Sequence, residues 1–149
     1  MLQDPGDVAR ASYRAYVDKD RDAIEALIAP DFHFTSPLDN RLDRDAYLAR
    51  CWPNSAILAA FEFVDVAVHG EYVYVVYEAV TTADRRFRNA ERLRGRDGRL
   101  VEAEVYFGWY VPDPGARGWV VGIGRGNSSR GAEVEVSPPR GPRLGGPAR

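Results

Sequence analysis

The sequence predicts an α+β domain in which helices pack on one face of a mainly antiparallel sheet. Helix-like segments come first along the chain and a run of four strand-like segments follows, an order typical of this fold class. Asp97-Gly98 stands between two strand patterns and indicates a hairpin, because both positions of such a turn need a positive φ. We place the domain at residues 1–112.

Three helices are expected in the first third of the chain. Asp7 can cap the first, which runs to about residue 19 with apolar side chains at helical spacing. The second is expected to end at Pro30, because proline cannot continue a helix. The third, over residues 44–52, has Asp43 as its N-cap.

Five strands are expected between and after these helices. Residues 31–36 alternate, with Phe32 and Phe34 on one face. Residues 39–41 are expected to form a polar loop. The longer strands are expected at residues 61–69, 72–82, 86–94 and 100–111.

Composition and charge exclude several classes of protein. The 149 residues carry a formal net charge of −2, which gives no general attraction to nucleic acid or to an anionic membrane. The first residues do not resemble a signal peptide, and no run approaches the roughly 20 apolar residues of a membrane span. The single cysteine, Cys51, suits a reducing compartment. We expect a cytoplasmic protein without nucleic-acid or membrane partners.

Residues 113–149 differ in composition from the predicted domain. From Pro114 onward the chain holds 9 of its 14 glycines and 5 of its 10 prolines. Such a segment cannot bury enough apolar surface to offset its ordering entropy. We predict a largely disordered tail rich in Gly, Pro and Arg.

The sequence offers little support for metal or thiol chemistry. Neither of the two histidines, His33 and His69, has partners at the spacing of a zinc site. Cys51 lies near the end of an amphipathic helix, where a small core residue is expected. No metal and no cofactor are predicted.

Side-chain alternation before the Asp97-Gly98 turn aims one acid inward. Phe87, Asn89, Glu91 and Leu93 share the inner face. The outer face carries arginines that can pair with glutamates of neighbouring strands: Arg86, Arg88, Arg92 and Arg94 with Glu71, Glu78, Glu102 and Glu104. A carboxyl group facing an apolar pocket has a raised pKa, which suits a general acid or base. The alternative is that Glu91 meets an arginine and serves the structure alone.

The rest of the predicted pocket wall is apolar and aromatic. Its members are Tyr16, Phe34, Trp52, Val75, Tyr77, Val105 and Phe107. Residues at such spacing form ordinary core or the wall of a site for a flat hydrophobic ligand. If a ligand binds, we expect Tyr16, Phe34, Trp52, Tyr77 and Phe107 to contact it.

Several segments together resemble a known family. They are Tyr13-Arg-Ala-Tyr-Val, Ala29-Pro-Asp-Phe-His-Phe-Thr-Ser-Pro and Arg96-Asp-Gly-Arg-Leu-Val-Glu-Ala-Glu-Val-Tyr-Phe-Gly-Trp. Over residues 6–110 the chain resembles the SnoaL-like branch of the nuclear transport factor 2-like superfamily. The resemblance implies a cone: a bent sheet closed by three helices around a cavity. Members include polyketide cyclases, ketosteroid isomerases, epoxide hydrolases, dehydratases and many proteins without a known reaction.

The resemblance also implies where reactive groups belong. Ketosteroid isomerase relatives use a tyrosine on helix 1, an aspartate base near the end of strand 1 and a protonated acid on a central strand. The first two positions fall at Ser12, with Tyr13 and Tyr16 nearby, and at Ser36. The third falls at Glu91 if the hairpin turn is one residue shorter, or at Ala90 without that adjustment. The strand-1 base is therefore missing, and Asp39 is the nearest acid that can substitute. Trp52 falls where these relatives place an aromatic residue on helix 3.

Two functions remain open at this point. The first is binding of a small hydrophobic molecule without catalysis, which the missing base favours. The second is a cofactor-independent cyclase- or isomerase-type enzyme acting on a small carbonyl compound. In that case Glu91 moves the proton, Asn89 and a tyrosine (Tyr16 or Tyr77) hold the oxyanion, and Asp39 is auxiliary.

The outer face of the sheet predicts an assembly. Tyr74, Val76, Tyr106, Trp109 and Tyr110 are all expected there. That is more apolar surface than a monomer normally exposes, and relatives of this family often pair through the same face. We therefore expect a homodimer.

Overall fold

The computed structural model describes residues 3–112, so the predicted tail at 113–149 lies outside the described residues. In chain order the elements are α1 (Pro5–Asp18), α2 (Arg21–Leu27), β1 (Ile28–Ser36), β2 (Asp39–Leu42), α3 (Arg44–Arg50), a 3-10 helix (Trp52–Ile57), β3 (Leu58–His69), β4 (Tyr72–Thr81), β5 (Arg86–Arg96) and β6 (Arg99–Val111). Three α-helices and a curved, unclosed sheet confirm the predicted α+β cone.

The six strands form one mixed sheet in the order β2-β1-β6-β5-β4-β3. All neighbours are antiparallel except β1 and β6, which run parallel. The hairpin between β5 and β6 turns at Asp97 and Gly98, and both have the positive φ that the turn requires. The mainly antiparallel sheet is therefore confirmed.

The ends of the helices correct three predictions. Asp4, not Asp7, is the N-cap of α1, because its carboxylate accepts the Asp7 backbone N–H at 3.1 Å. The second helix ends at Leu27. Pro30 lies within β1 instead, where the pairing with β6 changes register and a missing N–H is tolerated. The third helix ends at Arg50.

Two short elements were not predicted. Residues 39–41 belong to β2, an edge strand that pairs with the end of β1, and not to a loop. Trp52 begins a 3-10 helix rather than ending α3. The strand has four residues and the 3-10 helix six, so each completes only two periods, too few to produce a recognisable periodicity in sequence.

A β-bulge at Gly108 changes which residues of β6 face inward. Register with β5 shifts beside Asn89, and a Cβ at Gly108 would lie 1.9 Å from the Arg88 carbonyl oxygen, so only glycine fits. Beyond the bulge Trp109 faces outward, whereas Tyr110 lies opposite Phe87 and packs against the core. The prediction that Tyr110 lies on the outer face was wrong.

The two faces of the sheet have opposite chemistry. The concave face and the helices enclose an apolar core whose most buried members include Val8, Ile24, Phe32 and Val73. The outer face carries the predicted charge pairs: Arg86–Glu78, Arg88–Glu78, Arg92–Glu102, Arg92–Glu104 and Arg94–Glu71. Within residues 3–112, no helix has the length and apolarity needed to cross a bilayer. The cytoplasmic location stays a prediction.

Candidate functional site

The helices and the concave face of the sheet enclose a cavity of about 790 Å³. Seven of the eight predicted site residues line it: Tyr16, Phe34, Asp39, Tyr77, Asn89, Glu91 and Phe107. Trp52 is not among the lining residues. It packs edge-on against Tyr16, with ring centroids 4.9 Å apart, so it supports the wall from behind.

Glu91 points into this cavity because β5 alternates as predicted. Val75 and Val105 lie opposite it on the neighbouring strands, and both are apolar. Its Oε2 atom accepts a hydrogen bond of 2.6 Å from the hydroxyl of Tyr13. Burial raises the pKa of Glu91 to about 7, although the Tyr13 hydrogen bond opposes this change. Its partner is thus a tyrosine, and no arginine within residues 3–112 forms an ion pair with it.

Four tyrosine side chains surround Glu91. Tyr13 and Tyr16 come from α1, Tyr47 from α3 and Tyr77 from β4. Burial raises the pKa of each hydroxyl, and the nearby Glu91 charge raises it further. All four are therefore neutral hydrogen-bond donors at physiological pH, and the Tyr16 and Tyr47 hydroxyls are bonded to each other at 2.5 Å.

Asn89 is fixed at both ends of its amide. Its oxygen accepts the Gly108 backbone N–H at 3.0 Å, and its nitrogen donates to the Tyr77 hydroxyl at 3.3 Å. The side chain is only 3% exposed. The bulge in β6 thus holds this amide in place on the cavity wall.

Asp39 lies at the rim of the cavity in a different electrostatic environment. Its Oδ2 accepts a hydrogen bond of 3.0 Å from the Ser36 hydroxyl, and Oδ1 lies 2.9 Å from a nitrogen of Arg50. Ser36, at the position where isomerase relatives carry their base, thus serves as a donor to this acid. Both carboxylate oxygens of Asp39 thus have partners, so Asp39 is the weaker candidate for proton transfer.

Thiol and metal chemistry find no support in the described part of the chain. Cys51 lines the cavity, but burial raises the pKa of its thiol to about 12, so the thiolate is scarce at neutral pH. Among residues 3–112, no group of three or more His, Cys, Asp or Glu side chains is arranged to hold a metal ion.

Tyr13 and Tyr47 are the functional candidates that sequence reasoning did not assign. Tyr13 lies 78 residues before the acid that it contacts. Tyr47 packs its ring between Phe32 and Phe34 and carries its hydroxyl to Tyr16. Helical spacing marks both as inward, but no local pattern reveals which partner an inward hydroxyl meets.

A model of the SnoaL-like domain matches residues 9–103 of the chain. The chain belongs to the SnoaL-like family. Comparison with curated proteins gives no significant match. The SnoaL-like assignment agrees with the resemblance seen in sequence and leaves the reaction open.

Solved structures of similar shape come from several bacteria. A Kribbella flavida protein is 26% identical, with a TM-score of 0.62, over 68% of this chain and 84% of its own. IdmH of Streptomyces antibioticus, a proposed polyketide cyclase, is 24% identical, with a TM-score of 0.58, over 69% and 91%. An NTF2-like protein of unknown function from Cytophaga hutchinsonii is 15% identical, with a TM-score of 0.57, over 75% and 94%.

Proposed function

We propose that this SnoaL-like protein binds a small, mainly apolar molecule in its cavity, with an oxygen of the ligand facing the wall formed by Tyr77, Asn89 and Glu91. The observation that carries this proposal is the cavity itself, about 790 Å³ in volume and mostly apolar. Known ligand sites span roughly 300–1,000 Å³ and combine apolar walls with a few placed polar groups. The described cavity has that character.

The binding proposal is tested with 2-acetylnaphthalene, a flat neutral ketone. Isothermal titration is expected to show saturable one-to-one binding. Val105→Trp fills the cavity beside Glu91 and is expected to weaken binding at least tenfold, because the ligand loses its space. Tyr106→Trp is the matched control, since Tyr106 is 52% exposed on the outer face. Equal binding by the two variants would place the ligand elsewhere.

A second candidate function is catalysis of proton transfer, favoured by the pKa of about 7 at Glu91. A base with that pKa is half ionised at neutral pH and can both accept and return a proton. Tyr13 donates to Oε2, and within residues 3–112 no hydrogen bond to Oε1 is found, so that oxygen is available to a ligand. The reaction class is cofactor-independent isomerisation or cyclisation of a small carbonyl compound. In it Glu91 takes the proton from carbon, and hydroxyl donors such as Tyr77 or Tyr16, with Asn89, stabilise the oxyanion.

Asp39 has an auxiliary part in this candidate mechanism. It lies at the rim and holds Arg50 there, so it shapes the entrance of the cavity rather than moving the proton.

IdmH, which is 24% identical to this chain, is a proposed polyketide cyclase. Cyclisation of that kind agrees with the proposed reaction class.

We infer further that the protein forms a homodimer through the outer face of its sheet. Tyr74, Tyr106 and Trp109 are 46%, 52% and 51% exposed there, and large exposed apolar surfaces mark interfaces. Light scattering at micromolar concentration is expected to give about 33 kDa, twice the 16.6 kDa of one chain. Trp109→Arg is expected to yield the monomer, while Val64→Arg on edge strand β3 should leave the dimer intact. A wild-type mass of one chain contradicts the assembly.

A further inference from the structure

The hydrogen bonds around Asn89 fix the direction in which Tyr77 donates. A backbone N–H can only donate, so the Gly108 N–H requires the oxygen of the Asn89 amide to face it. The amide nitrogen must then face Tyr77, and it donates to the Tyr77 hydroxyl oxygen. Since that oxygen already accepts a hydrogen bond from Asn89, the Tyr77 proton points to another acceptor.

No acceptor for this proton is found in the described part of the chain. Asn89 is the hydrogen-bond partner that the structure gives the Tyr77 hydroxyl. Within residues 3–112 no hydrogen bond joins Tyr77 to Glu91, whose Oε2 accepts from Tyr13. The rings of Tyr13 and Phe61 pack edge-on against the Tyr77 ring, 5.4 and 5.2 Å away, and restrict its rotation. Tyr77 lines the cavity, so its proton is available to a bound molecule.

Tyr77 and Glu91 stand diagonally on one face of the sheet. Tyr77 lies directly opposite Asn89, and Glu91 follows two residues later on β5. Diagonal neighbours of this kind are within reach of one small ligand, because long side chains bridge the roughly 7–8 Å between them. A ligand oxygen at Tyr77 thus brings the adjoining carbon toward Glu91.

We propose that Tyr77 is the hydrogen-bond donor that selects ligands with an acceptor oxygen, such as a ketone, and that Asn89 is a positioning residue that sets this polarity from the Gly108 bulge. The proposal rests on the cavity-binding function and adds the chemistry of the ligand. A ligand without an acceptor oxygen at this point leaves the Tyr77 O–H unpaired inside the cavity, which costs binding free energy. The cavity therefore discriminates a ketone from its hydrocarbon isostere.

Two measurements test this polarity. The first compares the affinity of 2-acetylnaphthalene with that of 2-isopropenylnaphthalene, in which CH₂ replaces the oxygen. The second is the infrared carbonyl stretch of the bound, ¹³C-labelled ketone, which moves to lower wavenumber when the oxygen accepts a hydrogen bond. Tyr77→Phe is expected to weaken ketone binding about fivefold to tenfold, leave hydrocarbon binding unchanged and abolish most of the infrared shift. Tyr110→Phe is the matched control, since Tyr110 packs on the core and not on the cavity.

Asn89→Asp tests the positioning role while keeping an acceptor for the Gly108 N–H. Once ionised, the introduced carboxylate can only accept, so it draws the Tyr77 proton away from the ligand. Relative to wild type at each pH from 5 to 10, the infrared shift is expected to be retained at low pH and lost as the carboxyl group ionises. Circular dichroism verifies that the variant is folded.

The outcomes separate this inference from the binding proposal. If the ketone and the hydrocarbon bind equally and Tyr77→Phe changes neither the affinity nor the infrared shift, the inference is overturned while cavity binding stands. If the folded Asn89→Asp protein retains the full infrared shift of the carbonyl stretch at every pH, the positioning role is overturned. If neither probe binds the wild-type protein, the binding proposal fails and the polarity inference fails with it.

Discussion

Replacing Glu91 with Gln is expected to slow deuterium incorporation into the methyl group of 2-acetylnaphthalene at least 100-fold. Positioned general bases contribute about 10²- to 10⁴-fold to proton transfer. Glutamine keeps the shape of the side chain but cannot take a proton from carbon. The measurement is mass spectrometry of the ketone recovered after incubation with the protein in D₂O, with titration of the same variant to verify that the ketone still binds.

The control for this experiment is a glutamate that shares the strand environment but not the cavity. Glu104 lies on β6 and pairs with Arg92 on the outer face, so Glu104→Gln is expected to exchange at the wild-type rate. Exchange by wild-type protein no faster than in buffer would refute catalysis and leave passive binding as the function. Unchanged exchange in Glu91→Gln would assign the base to another residue.

The fold could be predicted from sequence wherever a side-chain period was long enough to recognise. Side-chain alternation along β5, counted back from the Asp97-Gly98 turn, places Glu91 and Asn89 on the inner face, and both line the cavity. The same counting failed for Tyr110, because an extra residue at the Gly108 bulge reverses the alternation. A glycine within a strand pattern, such as Gly108, is the sequence signal of such a bulge.

The site could be predicted only in part, because side-chain alternation gives the direction in which a residue points but not the residue that it contacts. Alternation tells which way a side chain points, and it correctly pointed Glu91 inward. It does not tell that Tyr13 will meet Glu91 from a helix 78 residues away, since that contact depends on how α1 packs across the sheet. The protonation of Glu91, and hence its chemistry, depends on that packing.

Glu91 is also expected to make the stability of the protein depend on pH. Its pKa is raised from the ordinary value of 4.5 to about 7 in the folded protein, so between these pH values the folded state binds more protons than the unfolded state. The stabilisation by the neutral acid is complete below about pH 4.5 and is lost as pH rises through 7. One pKa unit corresponds to about 1.4 kcal/mol, so the loss is on the order of 3 kcal/mol.

Urea unfolding of wild type and Glu91→Gln at pH 5, 6, 7 and 8 measures this loss. Glutamine is uncharged at every pH, so the variant should gain about 2.5 kcal/mol relative to wild type between pH 5 and 8, since part of the loss has already occurred at pH 5. Glu78→Gln is the matched control. Hydrogen bonds from Arg88 and Arg86 lower the pKa of Glu78, so its contribution is lost only as pH falls below 4.5, and that variant should keep the wild-type slope from pH 5 to 8. Parallel curves for wild type and Glu91→Gln would mean that the cavity admits enough water to keep the Glu91 pKa near its ordinary value, and the physical basis for a general base there would be gone.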